Sequence, residues 1–256
     1  MTDAPTDETI VDPTRDRTDD RTGDPTGDPA VDFARSDASI AAVAAVAFDL
    51  DGLMFNTEAV FQRTLRELLA ARGKPARPEM FAAMMGRRSV EANAIMIEMT
   101  GLTESIEEIQ AEISARFAEV LEEILEPMPG MLDLLDRLEA AGIPKAVCTS
   151  SSGRYCRGIL RRYDLIERFD FLMAAEDVSR GKPDPEIYAT AAARFGIAAS
   201  SLLVLEDSEH GITSGKAAGA VAVAVPHEFA NGQIYDHADL IADSLADPRL
   251  LALLRF

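Results

Sequence analysis

The chain has 256 residues, with 44 Asp and Glu against 25 Lys and Arg, a formal charge of −19, and hydrophobic residues at 47%. So large a negative excess repels phosphate backbones, which are bound through clustered cations, and excludes nucleic acid as the expected partner. Its apolar runs fall short of the roughly 20 residues that span a bilayer, and the N-terminus lacks a charged-then-apolar leader, so a cytoplasmic protein with no membrane partner is expected. Cys148 and Cys156 show neither metal-site nor disulfide-scaffold spacing.

Residues 1–40 are rich in Asp, Thr, Pro and Gly, repeat Thr-Gly-Asp-Pro at 22–25 and 26–29, and carry eleven acidic and four basic residues. Such a segment buries too little apolar surface to order itself and is expected to be a disordered acidic tail. Composition then turns abruptly to Ala and Val, and the short run 43–48, ended by Asp49, predicts a buried strand. Residues 57–126 show no strand pattern and predict successive amphipathic helices. Four further apolar runs follow, at 145–148, 171–174, 202–205 and 220–225, separated by helix-period stretches at 131–141, 154–163, 186–195 and 211–218. Strands alternating with helices predict a doubly wound α/β fold with a parallel sheet, a Rossmann-like core formed by 41–56 and 127–256. The seventy residues after the first strand exceed an ordinary crossover and are expected to form a separate helical domain over the strand ends. Met80, Met84, Met85, Met96 and Met99 are expected to fill its core, and Cys148 to be a buried small hydrophobe.

Functional side chains in open α/β sheets collect at the carboxyl ends of the strands. There the sequence places Asp49-Leu50-Asp51-Gly52, then Thr149-Ser150-Ser151, the loop Gly181-Lys182-Pro183-Asp184-Pro185, and Glu206-Asp207-Ser208. Each is ordinary alone: Asp-X-Asp-Gly suits a turn, and a Thr-Ser run suits a helix cap. Together they converge carboxylates, a hydroxyl and an ammonium. Asp49 and Asp51 can hold a hard cation between a side chain and a backbone carbonyl, with Glu206 and Asp207 completing an oxygen shell that fits magnesium. His210, His227 and His237 show no ligand spacing and receive no role.

These four motifs, in this order over residues 44–230, resemble the haloacid dehalogenase-like superfamily of phosphotransferases. The resemblance implies that Asp49 attacks the phosphorus of a phosphate ester, that Asp51 protonates the leaving oxygen and then activates water, and that Thr149 with the Ser150 amide binds phosphoryl oxygens. It further implies Lys182 as the neutralising ammonium and a metal site of Asp49, Asp51, Glu206 and Asp207 for Mg2+. Asp51 argues for phosphate esters over carbon–halogen bonds, because an alkoxide leaving group needs a proton. The insertion resembles a helical cap, which favours a small phosphorylated metabolite and a monomer. Arg87, beside Arg88 after Gly86, is the expected cap contact to substrate. Asn56-Thr57-Glu58, Met85-Gly86-Arg87 and 181–185 resemble sugar-phosphate phosphatases, beta-phosphoglucomutase and pseudouridine-5'-phosphatase relatives, and a phosphatase is expected, with a beta-phosphoglucomutase-like phosphomutase as the alternative. Two positions depart from the pattern: Asn56 stands where many relatives have Asp, and Phe61 where mutase relatives have a histidine.

Overall fold

The computed structural model describes residues 42–84, 89–230 and 232–255. The acidic segment 1–40 and Arg87 with Arg88 lie outside the described residues. The protein is α/β. The apolar runs form strands β1 (Ala45–Phe48), β2 (Lys145–Cys148), β3 (Phe171–Met173), β4 (Leu202–Glu206) and β5 (Val221–Ala224). A two-residue strand, β6 (Leu240–Ile241), joins the edge, too short to leave a pattern in the sequence. Within this six-stranded sheet the pairings are all parallel, in the order β3-β2-β1-β4-β5-β6.

Side chains alternate across a strand, and in β1, β2 and β5 the alternation sorts them by size, whereas β3 and β4 place Phe171, Met173, Leu202 and Val204 on the alanine face. Val46, Phe48, Val147, Leu203, Leu205 and Val223 fill one face, against helices α5 (Met131–Ala140), α6 (Gly153–Arg162) and α9 (Pro248–Leu254). Ala45, Ala47, Ala146, Ala222 and Ala224 line the other, where small side chains receive α7 (Glu186–Phe195) and α8 (Glu209–Ala217). In α5, Leu134, Leu135 and Leu138 are fully buried, each contributing roughly 2 kcal/mol of transfer free energy. The short α9 begins at an Asp247 cap with Pro248 in its first turn, a start signal that the sequence reading missed.

Between β1 and β2 lie α1 (Thr57–Ala70), α2 (Pro78–Met84), α3 (Ser89–Thr100) and α4 (Ile106–Ile124). Their own apolar cluster joins Leu65, Leu68, Leu69, Met80, Met84, Met96, Ile109 and Ile113. Met99, expected in that cluster, is instead half exposed: it falls on the outer face of α3, three residues from buried Met96. Met85 lies outside the described residues. Val60 of α1 and Val120 of α4 belong to the sheet cluster, so the base of this helical pair is continuous with the core. Among the described residues, no helix is long and apolar enough to cross a membrane.

The chain leaves the sheet at Asn56 and returns at Glu126, and Asn56 ties the two passages together. Its N–H donates to the Glu126 carbonyl at 3.1 Å, its Oδ1 accepts from the Glu126 N–H at 2.7 Å, and its Nδ2 donates to the Ile124 carbonyl at 3.1 Å. An amide supplies both an acceptor and a donor, which a carboxylate does not. Replacing Asn56 with Asp removes the donor and turns a negative charge toward a carbonyl. Asn56→Asp is expected to lose about 1–3 kcal/mol in urea unfolding at neutral pH; a midpoint equal to wild type would show that the clamp contributes nothing.

Candidate active site

β1 lies between β2 and β4, and the chain departs from it in opposite directions, which opens a crevice at the carboxyl ends of these strands. Asp49 follows β1, Thr149 follows β2, Glu206 ends β4, and Asp207 comes next. Lys182 arrives from the loop before α7. Glu186 holds that loop by accepting the N–H groups of Ser179 and Arg180, and Ser214 Oγ donates to the Asp184 carbonyl at 2.6 Å. So fixed, Lys182 Nζ donates to Asp49 Oδ1 and Glu206 Oε1, both at 2.5 Å, and to the Cys148 carbonyl at 2.9 Å. All three ammonium protons are used.

Asp49, Glu206 and Asp207 are all buried, and one oxygen from each lies within 4.8 Å of the others. Glu206 is saturated: Oε1 accepts from Lys182 and the Tyr188 hydroxyl, and Oε2 from the Ser208 N–H and hydroxyl. Burial, reinforced by the neighbouring carboxylates and opposed by Lys182, holds Asp49 well above the usual carboxylate range. Burial and the Glu206 charge do the same to Asp207. For Lys182, burial works against the charged form, but Asp49 and Glu206 outweigh it and raise the pKa. One ammonium against three buried carboxylates leaves negative charge uncompensated, and an all-oxygen donor set of this kind fits a hard divalent cation.

Two glycines allow this crowding. A Cβ on Gly52, whose φ is +80°, would lie 2.2 Å from Asp207 Oδ2, and one on Gly211 would lie 1.8 Å from the Glu206 carboxyl carbon. Thus the glycine of the first motif is required by the acidic pair of the last.

The Asp51 side chain is held by two hydroxyls. Its Oδ2 accepts from Ser151 Oγ at 2.6 Å and its Oδ1 from the Tyr155 hydroxyl at 3.1 Å, which draw the side chain toward α6. Thr149 is buried, and its hydroxyl accepts the Ser151 N–H at 3.0 Å; the Ser150 side chain is exposed. Ser152 caps α6, so part of the Thr-Ser run does serve as a helix cap. Cys148 and Cys156 are free and buried, with thiol pKa values pushed up to about 12 by burial.

The sequence reading missed His227. Its Nδ1 accepts the Phe229 N–H at 3.1 Å, which leaves the proton on Nε2, 3.1 Å from Asp207 Oδ2. Burial lowers its pKa. No spacing announces this contact, because His227 is brought to Asp207 by the turn after β5. A cavity of about 710 Å3 adjoins Asp207 and extends under the helices, lined by Glu58, Gln62, Asn93, Gln110 and His227. Asn93 and Gln110 hydrogen-bond to each other at 2.6 Å. Phe61, the second departure from the family pattern, also lines this cavity.

The sequence profile of the haloacid dehalogenase-like hydrolases matches residues 46–225. A Thermotoga maritima protein named phosphorylated carbohydrates phosphatase is 30% identical over 199 residues, covering 77% of this chain and 92% of that protein. The validoxylamine A 7'-phosphate phosphatase of Streptomyces hygroscopicus subsp. limoneus is 31% identical, covering 79% of this chain and 94% of its own length. A solved Thermotoga maritima structure, described as a candidate beta-phosphoglucomutase, superposes with a TM-score of 0.71 at 28% identity, covering 83% of this chain and 99% of that one. With this profile spanning β1 to the end of β5 and the four motifs meeting at the strand ends, the chain belongs to the haloacid dehalogenase-like hydrolases, a family of enzymes.

Proposed function

We propose that the protein is a magnesium-dependent phosphatase of small phosphate monoesters, with sugar phosphates or similar polyol phosphates as substrates and an aspartyl-phosphate intermediate. The observation that carries this reading is the Lys182 ammonium 2.5 Å from the Asp49 carboxylate, with Asp207 beside it. An anionic nucleophile approaching a phosphate ester meets strong repulsion, which positive charge at the reacting atoms cancels. An Asp49 oxygen attacks phosphorus, the ester P–O bond breaks, and Asp51 gives its proton to the departing alkoxide. Asp51 then takes a proton from water, the water oxygen bonds to phosphorus, and the acyl-phosphate bond breaks to return free Asp49 and inorganic phosphate. Thr149 and the Ser150 amide bind phosphoryl oxygens, and Lys182 neutralises Asp49 and the transferred group.

Magnesium, when bound, supplies Lewis-acid neutralisation of the phosphoryl charge. Asp49 and Asp207 would hold it, with Asp51 contributing its backbone carbonyl. Glu206, already bound to four donors, serves as the counter-ion of Lys182. Residues 57–126 act as a cap on the core of 41–56 and 127–256. The amides of Gln62, Asn93 and Gln110 in the cavity suit hydroxyl-rich substrates, which both donate and accept hydrogen bonds. Arg87 completes the proposal as a substrate contact.

Raised carboxylate pKa values set the pH dependence of metal binding. Asp49 and Asp207 contribute stability to the metal-free protein below the unfolded pKa, and this is lost as pH rises through their raised folded values. Metal requires the deprotonated forms, so protons compete with it. At one hundred times its dissociation constant, magnesium is expected to stabilise the fold by about 2.7 kcal/mol at pH 7. The increment is expected to shrink toward pH 5, read as the shift in thermal midpoint; an increment that grows in acid would contradict the carboxylate site.

The activity itself is tested by phosphate release from a panel of sugar, nucleotide and polyol phosphates, with and without magnesium. Wild type is expected to release phosphate only with the metal, and Asp49→Asn to fall by at least about a thousandfold. Interconversion of glucose 1- and 6-phosphates with negligible release would establish the phosphomutase instead.

A further inference from the structure

We propose that Tyr155 is a positioning residue for Asp51, steered from the helical segment through Phe117. This rests on the phosphatase reading and adds to it a residue that no motif contains. The Tyr155 hydroxyl donates to Asp51 Oδ1 at 3.1 Å, and Ser151 holds the other oxygen at 2.6 Å, so both oxygens of the carboxylate are oriented. The Tyr155 ring lies 6.2 Å from that of Phe117 on α4, with the planes inclined at 46°. One side chain therefore touches both the acid–base carboxylate and the segment inserted over the strand ends.

The position of Tyr155 is set by the phosphate-side loop. Ser152 caps α6 by accepting the Tyr155 N–H at 3.3 Å, so the ring enters one turn beyond Thr149 and Ser150, in register with them. The chemistry of the contact suits a group that alternates between acid and base. A hydroxyl donates to a carboxylate and, after rotating, accepts from a carboxylic acid, so Asp51 keeps its orientation in both protonation states; a lysine or arginine in that place would favour the anion alone. A shift of α4 moves Phe117 and with it the ring, which links the pose of the helical segment to that of the proton donor.

Leaving groups separate this role from a merely structural one. Expulsion of a sugar or polyol alkoxide needs the proton from Asp51, whereas 4-nitrophenolate leaves without one. The test compares kcat/KM for p-nitrophenyl phosphate with that for the fastest alkyl ester among a panel of sugar and polyol phosphates, in magnesium buffer. Tyr155→Phe, which keeps the ring, is expected to lower the alkyl-to-aryl ratio about tenfold. Phe117→Ala is expected to lower it in the same direction by a smaller factor. Equal losses on both esters, leaving the ratio unchanged, would overturn the proposal, and an unchanged ratio in Phe117→Ala alone would overturn the route through α4. Wild-type protein that hydrolyses no alkyl ester would contradict the sugar-phosphate reading itself, a failure separate from an unchanged ratio.

Discussion

The ammonium of Lys182 sits among three buried carboxylates, and much of the surrounding architecture follows from keeping it there. Carboxylates taken out of water are costly unless paired. Lys182 spends all three protons on Asp49, Glu206 and the Cys148 carbonyl, while Tyr188 and Ser208 satisfy the rest of Glu206. Glycines at 52 and 211 leave the space these groups occupy. The arrangement remains short of positive charge, and this deficit makes it a receptive place for a divalent cation.

Topology delivers these groups to one another. Residues separated by more than 150 positions meet because β1 and β4 are neighbours, at the point where the chain changes its direction of travel across the sheet. The same crevice is approached by helices α1 to α4, whose base packs into the sheet core through Val60 and Val120. Asn56 fastens the outgoing and returning passages of that insertion, and Phe117 and Tyr155 connect it to Asp51. Sheet core, Asn56 clamp and Asp51 thus form one continuous set of contacts.

The parallel strands were legible because each is a short apolar run closed by polar residues, and Asp49, Thr149, Glu206 and Asp207 because they follow such a run. Lys182, nine residues past β3 in a loop, follows no run and stood out only through the family resemblance of its motif. The two-residue β6 has no period to detect, and the seven-residue α9 announces itself only by the Asp-Pro pair at its start. Other features depend on side-chain direction, which composition and spacing do not carry. Asp51 sits two residues from Asp49 yet turns to Ser151 and Tyr155, and His227 reaches Asp207 from a loop without a motif. Likewise Asn56 read as a missing carboxylate, whereas the structure uses its amide as a donor and an acceptor at once. Met99 shared the methionine pattern of α3 but fell on its exposed face.

The identity of the nucleophile is the central claim. Rapid mixing with a turned-over sugar phosphate, quenching in acid, borohydride reduction of any acyl phosphate and peptide mass analysis would locate it directly. Reduction at Asp49, absent when substrate is omitted, is the predicted result. Reduction at Asp51 or Asp207, or none during demonstrated turnover, would contradict the assignment.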